Sequence, residues 1–158
     1  KRNEILVMGW MINTNIYVVD EGSLRYTYMD GTREVTFGFA LPGTMLISMH
    51  SFYGHQPVFY QIEACCTSKV IKISKQHYDK LVAESHDFAR WALKMAHGQL
   101  YFYERKNHVI NCDAKERFLS LVHNRPEIIK KVSLGIIASY LGITQSYLSR
   151  LKKQINIK

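Results

Sequence analysis

The residues best placed to do chemistry in this chain lie near its C-terminal end, in Gln145, Ser146, Tyr147, Ser149 and Arg150. They interleave with apolar residues at helical spacing, so a helix there shows them on one exposed face. Gln pairs in bidentate fashion with an adenine edge and Arg with a guanine edge, whereas Ser discriminates weakly. Exposed helix faces used only for packing carry Glu and Lys pairs more often than this mixture. Thr144 stands where a helix N-cap belongs, which aims its hydroxyl and the positive end of the helix dipole at an anion. Lys152 and Lys153 follow directly. The chemistry implied is recognition of a duplex, with phosphate held by charge and bases read by hydrogen bonds.

Charge supports that reading. The chain carries a net +8, and residues 113–158 hold nine Lys or Arg against three acids, whereas the first 112 residues hold twelve against ten. A positive field concentrated in the last third suits a phosphate-binding module.

Other chemistries find little support. The seven histidines, among them His50, His55, His97 and His108, show no HExxH or other ligand spacing. Three cysteines, Cys65, Cys66 and Cys112, form no CxxC pair and are too few for a four-ligand metal site. No P-loop, GxSxG or dinucleotide-binding glycine pattern occurs, so neither an enzyme, a metal nor a cofactor is expected. No apolar run is long enough to span a bilayer. Lys1–Arg2–Asn3–Glu4 leads directly into strand-like sequence without a signal peptide, and the first residue is not Met. A cytoplasmic protein is expected, with room for residues ahead of Lys1.

The elements that must position these groups fall into three segments: 1–78, 79–110 and 111–158. Residues 1–78 read as short strands over Glu4–Val7, Ile16–Asp20, Gly22–Tyr28, Glu34–Ala40, Met45–Ile47, Val58–Cys65 and Lys69–Ser74, punctuated by turn residues. Asp30-Gly31 predicts a hairpin turn in which both central residues take positive φ. The rhythm suggests a jelly roll. Helical character begins near residue 75. On the long helix, Phe88, Ala92, Met95, Gln99, Phe102, Lys106 and Val109 form one seam, and Ala89, Leu93, Ala96, Leu100 and Tyr103 a second stripe beside it. Two apolar faces need two partners, the β domain and a second copy, and the first seam is expected to hold a homodimer.

The last segment is a compact helical module. Asp113-Ala-Lys-Glu116 is a capping-box pattern, Arg125-Pro126 ends its helix, and Ser133 is expected to cap the next. From Leu134 the sequence meets seven demands of a helix-turn-helix. Ile137, Leu141, Ile143, Leu148 and Leu151 supply the core, Ala138 allows close approach, and Gly142 allows a left-handed turn.

Taken together, these features resemble the Crp/Fnr family of transcription regulators, in the style of its Bacteroidetes members. The resemblance runs through Gly22-Ser23-Leu24-Arg25, Asp30-Gly31-Thr32-Arg33-Glu34, Leu41-Pro42-Gly43, Glu116-Arg117-Phe118-Leu119, Ile137 to Thr144, and Leu148-Ser149-Arg150. It implies an α+β chain made of a double-stranded β-helix (jelly-roll) sensor domain, a long dimerisation helix and a C-terminal helix-turn-helix. It also implies a dimer on a palindromic operator in double-stranded DNA.

Two departures stand out. Members that bind cyclic AMP carry Gly-Glu for the ribose and, about ten residues on, Arg-Ser or Arg-Thr for the phosphate. Here Ile47-Ser48 and Val58-Phe59 fall at those places. A buried phosphate without its guanidinium loses a charge-assisted bidentate contact, so cyclic AMP is not the expected effector. An unidentified small molecule could still occupy the degenerate pocket. The four residues up to Lys158 are too few for the β wing that follows the recognition helix in most members, so Lys152 and Lys153 are expected to supply its phosphate contacts within this sequence. The competing expectation is a β-barrel ligand-binding or scaffolding protein whose helical tail meets only other proteins.

Overall fold

The computed structural model describes residues 1–110 and 112–155, and of residues 106–110 the backbone alone. The side chains of Lys106, His108 and Val109, and residues 156–158 with Lys158, therefore lie outside the described residues.

Seven strands come first: β1 (Ile5–Val7), β2 (Ile16–Glu21), β3 (Leu24–Asp30), β4 (Arg33–Ala40), β5 (Met45–Leu46), β6 (Gln61–Ala64) and β7 (Lys69–Ile73). They form two antiparallel sheets, ordered β1-β6-β3-β4 and β5-β2-β7. Their facing sides bury Val7, Tyr17, Val19, Leu24, Leu46, Val58 and Ile62 in one core. This is the jelly-roll layout expected from alternating β-branched and aromatic residues. Pro42-Gly43 makes the turn into β5. Gly43 takes φ +85°, and the Thr44 N–H donates to the Leu41 carbonyl at 2.9 Å. One charged group is held inside: the Arg25 guanidinium, 9% exposed, donates to Glu63 at 2.9 Å and Thr36 at 3.2 Å and pairs with Glu34 at 2.7 Å. Burying that charge is tolerable only because it is paired and hydrogen-bonded.

Two local expectations are corrected here. Asp30 pairs with Arg33, so the hairpin loop is Gly31-Thr32 rather than Asp30-Gly31. Only Gly31 takes positive φ (+60°), because a β-branched threonine tolerates that region poorly. A short helix, α1 (Met49–Phe52), interrupts what read as loop, with the Ser48 hydroxyl accepting from the Ser51 N–H.

The helical stretch is two helices, not one. α2 (Lys75–Glu84) ends at Ser85, whose backbone is extended (φ −124°, ψ 107°). α3 (His86–Ile110) then starts with the Ser85 hydroxyl accepting from the Phe88 N–H at 3.2 Å. Serine as a cap explains the break. The C-terminal module contains α4 (Ala114–Asn124), α5 (Pro126–Lys131), α6 (Leu134–Leu141) and α7 (Gln145–Gln154). The Asp113–Glu116 capping box forms in both directions. Arg125 ends α4 and Pro126 opens α5, where its missing N–H costs nothing. Ser133 occupies the N-cap position of α6 but its side chain makes no capping bond, contrary to expectation.

The core of this module, built on Phe118, Ile128, Ile137, Leu141 and Leu148, continues into Phe39, Leu41 and Cys65 of the β domain. The two parts share buried apolar surface, and α6 lies along β4, an edge strand of its sheet. No helix among the described residues is long and apolar enough to cross a membrane.

Candidate nucleic-acid interface and the cavities behind it

The window from Leu134 to Leu151 folds as two helices joined by a tight turn. Ile137, Ala138, Leu141, Leu148 and Leu151 are buried, and Ile143 and Leu134 pack against them. Gly142 takes left-handed geometry (φ 67°, ψ 29°), and its N–H and that of Ile143 close on the carbonyls at the end of α6. Thr144 caps α7, its hydroxyl accepting from the Tyr147 N–H at 3.2 Å. The core face of α7 is thereby fixed, and its other face follows from helical geometry. Thr144, Gln145, Ser146, Tyr147, Arg150 and Lys153 are exposed, with Ser149 and Lys152 half-buried. Arg150 reaches back over the Tyr147 ring, its guanidinium carbon 5.8 Å from the centroid. Among the described residues no acid lies on α7, and Arg150, Lys152 and Lys153 form no ion pair. The helix therefore presents an unneutralised positive face, with its N-terminus open to solvent.

The two stripes of α3 are placed the other way round from the sequence expectation. Met95 packs on the cluster of Ile16, Met45 and Phe52, and Ala92 is buried. The Gln99 amide donates to the Met45 carbonyl. Phe88 stacks against Tyr78 and Trp91 at 5.7 and 5.2 Å, and Phe102 lies 4.2 Å below the Arg125 guanidinium. The seam Phe88, Ala92, Met95, Gln99, Phe102 is thus occupied by the chain's own body. Leu93 (56%), Leu100 (60%) and Tyr103 (60%) of the second stripe stand exposed instead. The polar members decide it: Gln99 meets a carbonyl inside the chain, which a leucine could not satisfy.

The four residues expected to line an effector pocket do not meet around one. Val58 is fully buried in the β core, where its N–H donates to Met11 and its carbonyl accepts from Trp10. Phe59 is 56% exposed, edge-on to Tyr60 and His50. Ser48 caps α1, and Ile47 alone among the four borders the larger cavity of the β domain.

That cavity, of about 310 Å³, lies between the β domain and α3. Tyr26, Phe37, Tyr60, Met95, Gln99 and Arg125 are among its walls. Gly38, opposite Tyr26, leaves the ring its place, since a Cβ there would come within 3.2 Å of it. Tyr26, Phe37 and Tyr60 contact one another edge-on or tilted at 5.6 to 5.8 Å. Burial pushes the Tyr26 phenol well above its ordinary pKa. Tyr60 is raised for the same reason, although a hydrogen bond with Ser48 pulls it back. Burial lowers Arg125. A second cleft of about 600 Å³ shares Phe37, Gly98, Phe102 and Arg125 with the first and opens between β4, α3 and the helical module. Sequence reasoning missed Tyr26, Tyr60 and Arg125 as a group, because they come from three distant segments with no shared spacing. Among the described residues no three His, Cys, Asp or Glu gather as a metal site.

With this geometry in hand, the comparisons with known proteins are specific. No curated protein matches the chain. The family model of the cyclic nucleotide-binding domain matches residues 1–85. Among solved structures, FixK2 from Bradyrhizobium japonicum is similar with a TM-score of 0.77 at 20% identity, over 99% of this chain and 81% of that one. A CooA mutant from Carboxydothermus hydrogenoformans gives 0.76 at 15% identity, over 99% and 73%. The global regulator CLP of Xanthomonas campestris, described as c-di-GMP responsive, gives 0.73 at 16% identity, over 98% and 83%. At such identities the likeness is one of fold, and it spans β domain, long helix and helical module alike. The chain belongs to the cyclic nucleotide-binding domain family, and its α+β architecture is that of the Crp/Fnr-type regulators.

Proposed function

We propose that this chain is a sequence-specific DNA-binding transcription regulator of the Crp/Fnr type that acts as a homodimer on a palindromic operator. The observation that carries this reading is the exposed row Gln145, Ser146 and Arg150 on a helix whose core face and cap are otherwise satisfied. Such a helix enters a major groove with its first turn against base edges. Residues 1–78 then serve as the sensor, 79–110 as the pairing helix and 111–158 as the DNA-holding module, in a cytoplasmic protein. The pairing face is the exposed stripe of Leu93, Leu100 and Tyr103.

The effector in this reading is not cyclic AMP. The β-domain cavity contains no carboxylate for a ribose among its lining residues, and its one guanidinium, Arg125, is engaged by the Phe39 carbonyl at 3.2 Å and the Phe102 ring. Titration calorimetry with cyclic AMP should show no saturable heat. Binding to random duplex fragments at rising salt tests the function itself. A linear fall of log affinity with log salt, with one enriched palindrome, is expected, because neutralised phosphates release counterions. Absence of DNA binding at low salt would overturn the proposal in favour of a scaffolding protein.

A further inference from the structure

The larger cleft is not part of the reading face: α7 contributes none of its lining residues. Its volume, about 600 Å³, lies in the range of small-molecule sites. Three guanidiniums border it, those of Arg105, Arg117 and Arg125, and no aspartate or glutamate does among the described residues. None of the three forms an ion pair among the described residues. Arg117 spends its two terminal nitrogens on the carbonyls of Cys112 and Leu141, at 3.0 and 2.9 Å, while its Nε is buried without an acceptor. Burial is the main influence that disfavours the charged form of Arg125, and nearby Arg105 adds to it. Like charges gathered around a cleft that has no acid among its described lining residues are unfavourable until an anion arrives. The remaining walls are aromatic, with Phe37, Tyr101 and Tyr140 among them. Gly98 opens the α3 side, since a Cβ built there meets nothing within 4 Å.

We propose that this cleft binds a small aromatic anion, its ring between Tyr101 and Tyr140 and its negative group at Arg105 and Arg117. An inorganic anion alone would leave the aromatic walls uncovered, and a neutral ring would leave the guanidiniums unpaired. The cleft is bordered by β4 and α3 on one side and by α4 and α6 on the other. An occupant therefore touches sensor and helical module at once, and its affinity depends on how they are docked.

Two dyes that share a skeleton test this on the full chain by fluorescence titration: anilinonaphthalene sulfonate, which is anionic, and phenylnaphthylamine, its neutral counterpart. The sulfonate should bind saturably at one site. Arg105→Gln, which removes an exposed charge with no described bond, should weaken the sulfonate roughly fivefold and leave the neutral dye unchanged. Ser120→Trp, which fills this cleft but not its neighbour, should abolish binding of both. If that variant loses its native circular dichroism, Tyr101→Ala replaces it and should weaken both dyes. No saturable binding, equal response of the two dyes to Arg105→Gln, or indifference to Ser120→Trp and Tyr101→Ala would each overturn the proposal.

Discussion

The Ser139 hydroxyl accepts the backbone N–H of Thr36 at 3.0 Å, a bond between helix α6 and strand β4 that spans 103 positions of sequence. The same hydroxyl donates to the Glu34 carbonyl at 3.4 Å. Among the described residues β4 pairs only with β3, so its other edge would present bare donors and acceptors. Edge strands in this state are commonly covered by a helix or loop, and here α6 does the covering. Beside the bond, the Phe39 and Tyr140 rings meet at 5.1 Å and Arg125 donates to the Phe39 carbonyl. Serine at this position ties the helical module to the β domain.

Ser139→Ala should therefore leave the amide of Thr36, itself 1% exposed, without an acceptor, at a cost of about 1–3 kcal/mol. Calorimetry should show a lowered Tm, by about 2–4 °C for each kcal/mol. Amide exchange at Thr36 should accelerate more than at residues of β2. An unchanged Tm with unchanged exchange would show that the bond is dispensable.

Pairing of two protomers is the second expectation. Leu93→Glu with Leu100→Glu places charges on the exposed stripe of α3, so light scattering should find a monomer with unaltered circular dichroism. Met95→Glu should behave differently, since that side chain packs on Ile16, Met45 and Phe52. It should cost stability within the single chain, because a charge replaces a half-buried apolar contact with the β core. If Met95→Glu alone gave well-folded monomers while the leucine pair stayed dimeric, the seam facing would be the reverse of that found here.

DNA readout separates Arg150 from Lys152. Arg150→Ala should cost about 1–3 kcal/mol on the selected operator and relax preference at one base pair in each half-site. Lys152→Ala should weaken all sequences evenly and lower the salt slope by about one. In the dimer the half-sites should lie about 34 Å apart. Gel shifts on a randomised palindrome decide it: uniform loss with Arg150→Ala would make that residue a phosphate contact only.

Alkaline stability reports on Tyr26. Its phenol is held neutral by burial, so its pKa in the folded chain lies above that in the unfolded chain. The unfolded state therefore loses the proton first as pH rises past the ordinary tyrosine range, near 10, and stability falls from there upward. Below that range the contribution is fully present. Tyr26→Phe should flatten the decline between pH 9 and 11 in urea-melt midpoints, about one unit either side of the ordinary value. A decline as steep as in the unmodified chain would place the titrating group elsewhere.

What the sequence disclosed follows how local the determinants are. The pair of helices from Leu134 to Leu151 was legible because Ala138, Gly142 and the Ile/Leu positions impose several demands within one short window. The strands were legible through alternation, and their ends shifted by only a few residues. The facing of α3 was not legible, since both stripes are apolar and only the tertiary partner of Gln99 distinguishes them. Arg125 read merely as the residue before a proline. Its place over Phe102 and between two cavities comes from packing of segments far apart in sequence. Ser139 gave no signal at all, because an isolated serine mid-helix has no local feature that points to a strand edge.

Gly98 carries a further consequence. It sits inside a 25-residue helix, where glycine is disfavoured relative to alanine by about 1 kcal/mol. Before it, Ala92 and Met95 anchor the helix to the β core; after it, Gln99 and Phe102 still hold to Met45 and Arg125, whereas Tyr101, Tyr103 and Arg105 stand exposed. The long helix is thus two stretches of unequal cohesion joined at a deliberate weak link. Partial opening should begin on the far side of Gly98 and stop there, so that the β domain keeps its fold while the stretch leading to the helical module loosens.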